Sequence, residues 1–173
     1  MSENKKIILI GGYARSGKSS SITILEQQGW KIISSSRMIH EFAQRLILMF
    51  TGRAIDTHDK EITFLDMLIR DFLIKLAEDV MMPVFTRAVF TAPMAALAAN
   101  SPHDLIAIET YGGVEYDFLS KYLRLEGLTW QNYNIRRQTE EPGIDLRRLL
   151  PGGIDIENNS TFDDLARKLA LLD

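Results

Sequence analysis

The stretch Ile10–Ser20, IGGYARSGKSS, decides how the rest of the chain is read. Gly12 and Gly17 bracket four residues, and Lys18 and Ser19 follow at once, which is the Gly-x-x-x-x-Gly-Lys-Ser spacing of a phosphate-binding P-loop. Glycines let the chain curl until successive N–H groups point inward at an anion. A helix starting near Gly17 adds its unpaired first amides and the positive end of its dipole. In such a loop Lys18 reaches the β- and γ-phosphates of a nucleoside triphosphate, and the Ser19 hydroxyl is a ligand for Mg2+. Arg15, Ser16 and Ser20 lie in the same curl and complete the expected ATP-binding set of Gly12, Arg15, Ser16, Gly17, Lys18, Ser19 and Ser20. The implied cofactors are therefore ATP and Mg2+.

The flanking sequence supplies the context that this motif requires. KIILIG (Lys6–Gly11) reads as a short buried strand, residues from about Gly17 to Gln28 as a helix closed by Gly29, and WKIIS (Trp30–Ser34) as a second strand. Together they make a βαβ unit. Ser36–Thr51 is expected to be helical, with Met38, Ile39, Phe42, Leu46, Met49 and Phe50 on one apolar face. TGRAIDTHDKE then reads as a loop. A second helix is expected from Ile62 to Met82, its face formed by Phe64, Leu65, Leu68, Ile69, Phe72, Leu76 and Val80, with Pro83 ending it. A third is expected over Thr86–Asn100, with a kink or break near Pro93.

Asp104–Thr110 is the third strand candidate, followed by a turn, a helix and the closing Gly127. Leu128–Ile135 is the fourth. The segment IDIENN holds a short last strand, and Ser160 is expected to cap a final helix running to about Leu172. Alternating strands and helices predict an α/β fold: a three-layer arrangement with a parallel sheet of about five strands and helices on both faces. Residues 36–100 are expected to form an inserted helical lobe within a single domain spanning 1–173.

Composition narrows the function classes. A 173-residue chain can bury one sizeable core, and 46% hydrophobic with 25% charged residues is ordinary for a globular domain. The formal charge of −3 gives no general attraction for nucleic acid or a membrane surface, so any polyanion site must be a local cluster of Lys and Arg. With no cysteine, disulfides and thiolate metal sites are excluded. The apolar run IILIGG is too short for a secretory h-region or a membrane span, which makes a cytoplasmic protein the expectation.

Two further groups are candidates for chemistry. Glu109 closes the apolar run LIAIE and precedes Gly112-Gly113; an acid at the end of a buried strand beside a P-loop acts on Mg2+ or as a base. Asp104 would lie at the wrong end of that strand. Arg136 and Arg137 follow the fourth strand, where arginines on a lid over residues 136–153 would neutralise transition-state charge and exclude water. Arg147 and Arg148 suit a lid and a solvated charged loop equally. Arg37 and Arg87, and less so Arg53, are candidates for an anionic acceptor. His40, His58 and His103 show no metal-ligand spacing. Tyr111 and Tyr116 flank the Glu109 turn and suit packing better than base stacking.

GGYARSGKSS, the helical insertion after KIISSSRMI and the tail IDIENNSTFDDLARKL together resemble the P-loop nucleoside monophosphate kinase superfamily, in particular phage-type deoxynucleoside monophosphate kinases and dephospho-CoA kinases. The resemblance implies a core sheet with the P-loop, a helical acceptor-binding region and an Arg-bearing lid. It supports Gly12, Gly17, Lys18 and Ser19 for ATP, and Arg136 for the lid. The chain departs from that pattern in two places. Dephospho-CoA kinases carry an Asp pair at the end of the second strand, where this chain reads Ser34-Ser35-Ser36. The acid-then-Arg pattern after the third strand of the phage-type enzymes is Glu109-Thr110-Tyr111 here.

The expected activity is ATP-dependent transfer of the γ-phosphate to a nucleotide-type acceptor, first a (deoxy)nucleoside monophosphate. A P-loop kinase for a hydroxyl, such as that of 5-hydroxymethyluracil in phage DNA, is the alternative; there Glu109 would serve as base, and nucleic acid would be a substrate. A non-catalytic nucleotide-binding switch is the alternative of another class. The absence of an Asn/Thr-Lys-x-Asp guanine-reading stretch weighs against it.

Overall fold

The computed structural model describes residues 5–13, 15–59, 61–65, 67–81, 88–110, 113–137 and 149–172. It separates into two compact units, Met1–Ser34 with Thr91–Asp173, and Ser35–Phe90.

The first unit is built on five parallel strands: β1 (Lys6–Gly11), β2 (Lys31–Ser34), β5 (Leu105–Glu109), β6 (Gln131–Arg136) and β7 (Ile154–Glu157). Their spatial order is β2-β5-β1-β6-β7. β1 is therefore central, between β5 and β6. Its run of β-branched and leucine side chains follows from that place: Ile8, Leu9 and Ile10 have no exposed surface, as expected of a strand covered on both faces. Ile8, Ile10, Ile32, Ala107, Ile135 and Ile156 face one side, where they meet Ile22 and Leu25 of α1 (Lys18–Gln27) and Leu165 and Leu169 of α6 (Phe162–Ala170). By strand alternation Ile7, Leu9, Ile106 and Ile108 face the other side. The helices left to cover it are α4 (Ala88–Asn100) and α5 (Gly113–Leu125), which bury Met94, Ala98, Leu119 and Leu123.

Because all five strands are parallel, their carboxyl ends share one edge. Register places Ser34 beside Glu109 and Ile10 beside both Glu109 and Tyr133 along that edge. The N-terminus of α1 emerges there too. Helix α1 closes with Gly29 and Trp30 amides donating back to Glu26 and Leu25 carbonyls at 3.1 and 3.0 Å, so the chain turns at once into β2.

Several boundaries differ from the sequence expectation. Pro93 does not break α4, which runs unbroken through it. The final helix is capped by Thr161, whose hydroxyl accepts from the Asp164 amide, rather than by Ser160; the Ser160 hydroxyl donates to the Asp164 carboxylate instead. That helix ends at Ala170.

The second unit departs more. Helix α2 spans Ser35–Thr51, but its buried stripe runs through Ala43 and Ile47 with Ile39 packed alongside, four residues apart. Met49 and Phe50, expected on the buried face, are 72% and 73% exposed. The long helix expected from Ile62 is replaced at its start by a hairpin, β3 (Thr63–Phe64) and β4 (Met67–Leu68). Leu65 takes a left-handed φ of 51° at its turn and points to solvent. Helix α3 begins only at Ile69 and runs to Lys75, and Leu76–Met81 continues with the wider π spacing. The core here is Ala43, Leu73, Leu76, Ala77, Met81 and Phe90; Val80 is exposed. The lobe is thus not wholly helical. No helix among the described residues is long and apolar enough to cross a membrane.

In the same unit His40 and His58 stack, ring centroids 4.1 Å apart, and His40 Nδ1 lies 3.0 Å from the Thr57 hydroxyl. Burial, and then the neighbouring His58, hold His40 below the ordinary imidazole range, against opposing pulls from Thr57 and Asp56. The folded protein therefore binds this proton less readily than the unfolded chain, whose imidazole titrates near ~6.5. The contribution is complete above that value and is lost as pH falls toward the folded pKa. Chemical denaturation at pH 7.5 and 5.5 should show a larger loss of stability on acidification for the wild type than for His40→Gln; equal losses would contradict the assignment.

Candidate active site

The site grows from the turn between β1 and α1. After Gly11 the chain curls through Tyr13 and Arg15 and enters α1 at Gly17, which takes a φ of 95° and makes no side-chain cap. Arg15, with a side chain, also takes a left-handed φ of 65°. That conformation is rare outside glycine and marks a backbone held by its surroundings. The first intrahelical bond is Ser21 N–H to the Gly17 carbonyl at 2.9 Å, so the amides of the preceding turn have no helical carbonyl to meet.

Both glycines of the motif are required by space. A Cβ at Gly12 would stand 2.7 Å from Ser16 Oγ and 2.8 Å from the Ile135 carbonyl oxygen. A Cβ at Gly17 would stand 1.9 Å from Asn158 Nδ2. Asn158 follows β7 directly, and the same Nδ2 donates to the Ser16 carbonyl at 2.9 Å. On the other side of the curl the Tyr13 hydroxyl accepts from the Arg137 amide at 2.6 Å and donates to the Arg137 carbonyl.

Lys18 opens α1 and points along the strand edge. Its ammonium donates to the Thr110 carbonyl at 3.0 Å and lies 3.8 Å from Glu109 Oε1, both side chains being 12% exposed. Glu109 Oε2 accepts from Ser34 Oγ at 2.8 Å. Strand register explains the meeting: β2 and β5 end side by side with Ser34 opposite Glu109. Thr110 is fixed to β1 by its amide, which donates to the Ile10 carbonyl at 3.1 Å.

The residues present fit a Mg2+ nucleoside triphosphate. Ser16 Oγ and Thr110 Oγ1 are buried without a hydrogen-bond partner, two polar groups inside the curl and beside Lys18 whose capacity a ligand or water must use. A hard dication beside phosphates needs one hydroxyl, one carboxylate and water. Ser19, in the first turn of α1, and Glu109, at the end of β5, would be the hydroxyl and the carboxylate. Among the described residues no group of three or more His, Asp or Glu side chains forms a dedicated metal cage.

No protein-family model matches the chain, and no curated protein matches its sequence closely. Solved structures do match it. A dephospho-CoA kinase from Campylobacter jejuni superposes with a TM-score of 0.54 at 14% identity, over 97% of this chain and 95% of that one. The APS kinase of Mycobacterium tuberculosis, in complex with AMPPNP and APS, gives 0.52 at 13% identity over 98% and 97%. A sugar kinase from Janibacter sp. HTCC2649 gives 0.50 at 10% over 97% and 94%. The chain has the P-loop kinase fold.

Within that fold the expected site residues divide. Gly12, Ser16, Gly17, Lys18 and Glu109 come together at the carboxyl edge of the sheet with Ser34 and Thr110. Arg15, Ser19 and Ser20 lie on the same curl and first turn, Arg15 and Ser19 exposed. Arg136 ends β6 with its guanidinium 2.5 Å from the Asp155 carboxylate, an exposed pair that contributes little to stability. Arg137 is exposed, with its main chain bound to Tyr13. Arg37 lies in the first turn of α2, in the other unit. Arg87, Tyr111, Arg147, Arg148 and the 138–148 part of the expected lid lie outside the described residues.

Tyr13, Ser34, Thr110 and Asn158 were not foreseen as site residues. The Asn-rich turn of the tail was a signal for Asn158, and the serines at the end of the second strand for Ser34. Nothing in the spacing marks Tyr13, because its partner lies 124 positions away and is a main chain.

Gly17→Ala is expected to destabilise the protein by about 1–3 kcal/mol, from its dihedral and the Asn158 contact together. Asn158→Ala removes the contact, and with it the bond to the Ser16 carbonyl, and leaves the dihedral, so the double variant should be destabilised by less than the sum of the two single changes. Denaturant unfolding of the four proteins measures the coupling; strictly additive changes would show that Asn158 is not the obstacle.

Proposed function

We propose that this chain is an ATP-dependent phosphotransferase that moves the γ-phosphate to a nucleotide-type acceptor. The single observation that carries the reading is the Lys18–Glu109 pair at the mouth of the glycine curl: a cation for the phosphates and an acid for Mg2+ or for the acceptor, on one strand edge. The amides entering α1 would hold the phosphate oxygens, Lys18 would exchange Thr110 for the γ-phosphate, and Ser19 with Glu109 would hold the metal. Mg2+, when bound, supplies charge neutralisation on the transferring phosphoryl group.

The family resemblance favours a (deoxy)nucleoside monophosphate as acceptor. Such an acceptor attacks through an oxygen that is already anionic and needs no base. A second reading, transfer to a hydroxyl such as that of 5-hydroxymethyluracil in DNA, is favoured by a specific feature. Ser34 holds one oxygen of Glu109 and Lys18 stands by the other, so the carboxylate is oriented as a proton acceptor needs to be. The kinases that share the fold are named for acceptors as different as a sugar and dephospho-CoA, so the fold is compatible with both. By the resemblance, acceptor binding falls to the segment that carries Arg37 and Arg87.

Incubation with labelled ATP and Mg2+ should transfer phosphate to at least one of a panel of nucleoside monophosphates, coenzyme precursors and DNA containing 5-hydroxymethyluracil. Lys18→Ala should abolish the transfer. No labelled product across the panel, with nucleotide still bound, would favour a switch. Glu109→Gln should slow transfer by about 10²-fold or more while AMPPNP binding is little changed. Full activity in that variant would remove the acid from the mechanism.

A further inference from the structure

Tyr13, in the phosphate loop, is only 7% exposed, and its hydroxyl both donates to and accepts from one residue's main chain. It accepts from the Arg137 N–H at 2.6 Å and donates to the Arg137 carbonyl. The preceding carbonyl, of Arg136, accepts from the Asn158 amide at 2.6 Å. Asn158 Nδ2 donates to the Ser16 carbonyl at 2.9 Å, and the Ser16 amide donates to the Tyr13 carbonyl at 3.3 Å. These bonds close a ring: phosphate loop, Asn158, the exit of β6, and back to the loop through one phenol.

We propose that Tyr13 is a positioning residue, which pins the main chain of Arg137 to the phosphate loop and so fixes where that arginine stands relative to the phosphates. The proposal rests on the phosphotransfer reading for its functional half. The geometry explains why the tie is made through main-chain atoms. Both arginine side chains stay outside it: Arg136 pairs with Asp155, and Arg137 is exposed. A displacement of the loop on filling with phosphates is handed to the Arg137 backbone through two bonds, whatever its guanidinium is doing. The position of a charged group in the transition state matters steeply, since a shift of ~1 Å can cost about 10²-fold in rate. An aromatic ring without the hydroxyl would fill the same space and lose only the tie.

Tyr13→Phe is therefore the test, read in two ways. Hydrogen exchange at the Arg137 amide, resolved by NMR, should be slow in the wild type and about tenfold or more faster in the variant, as expected when the bond that protects it is removed. Steady-state kinetics should show kcat lowered about tenfold or more with KM for ATP nearly unchanged, the mark of an interaction made in the transition state. Unchanged exchange at Arg137 overturns the pin. Faster exchange with unaltered kcat overturns the positioning role. If the variant does not fold, the wild type still decides: an Arg137 amide that exchanges as fast as an unstructured peptide overturns the pin by itself. A wild type that transfers no phosphate overturns the phosphotransfer reading and the positioning role with it, while the exchange measurement, which needs no turnover, still reports the pin.

Discussion

A loop that must present amides to a ligand cannot spend them on itself. That constraint governs this molecule. Among the described residues of the curl, the bond from Ser16 N–H to the Tyr13 carbonyl is long, at 3.3 Å, and the loop owes its shape to neighbours instead. Asn158 holds it through the Ser16 carbonyl, and Tyr13 ties it to the chain leaving β6. Gly12 lies flush against the Ile135 carbonyl, on β6. All of these supports come from β6 and from the turn after β7, on one side of β1, and register explains why. The two strands pair in parallel, so Arg136 and Glu157 end together and the next residues reach the same loop. The central place of β1 in the sheet is what brings them within range.

On the other side of β1 the supports are electrostatic. Two unit charges about 4 Å apart attract by roughly 4 kcal/mol at an effective dielectric near 20. Lys18 and Glu109 stand 3.8 Å apart and are mostly buried, so the loss of hydration by each ion offsets most of that attraction. The pair is thus held in place without being locked. A triphosphate, bringing several negative charges to the same ammonium, would compete with the Thr110 carbonyl for it. The Ser34 hydroxyl holds the other oxygen of that carboxylate at 2.8 Å.

How much of this was legible in the residues varied with the range of the interaction. The glycine–lysine spacing, the βαβ context and Glu109 at a strand end are local signals, and the strands appeared within a few residues of their expected places. The second unit was read less well for a physical reason. The spacing of the large apolar residues predicts a buried side of α2 that includes Phe50, whereas Ala43 and Ile47 form it and Phe50 faces solvent. From Ile62 onward the apolar spacing fits a helix, but a left-handed turn at Leu65 lets Thr63–Phe64 and Met67–Leu68 pair first. Periodicity cannot register a single dihedral. Tyr13 and Asn158 escaped for a different cause: each acts on a backbone atom far along the chain, and backbone atoms leave no trace in composition.

The choice of acceptor turns on the same edge of the sheet. In the dephospho-CoA kinase pattern an Asp pair stands at the end of the second strand, where this chain has Ser34, and in the phage-type pattern an acid follows the third strand, where this chain has Glu109; register sets the two residues side by side. Ser34 donates to one oxygen of Glu109 and Lys18 stands by the other, an arrangement that suits a metal ion and an acceptor hydroxyl alike. Phosphates filling the loop would draw Lys18 toward themselves and leave Glu109 with its Ser34 hydrogen bond at the mouth of the loop.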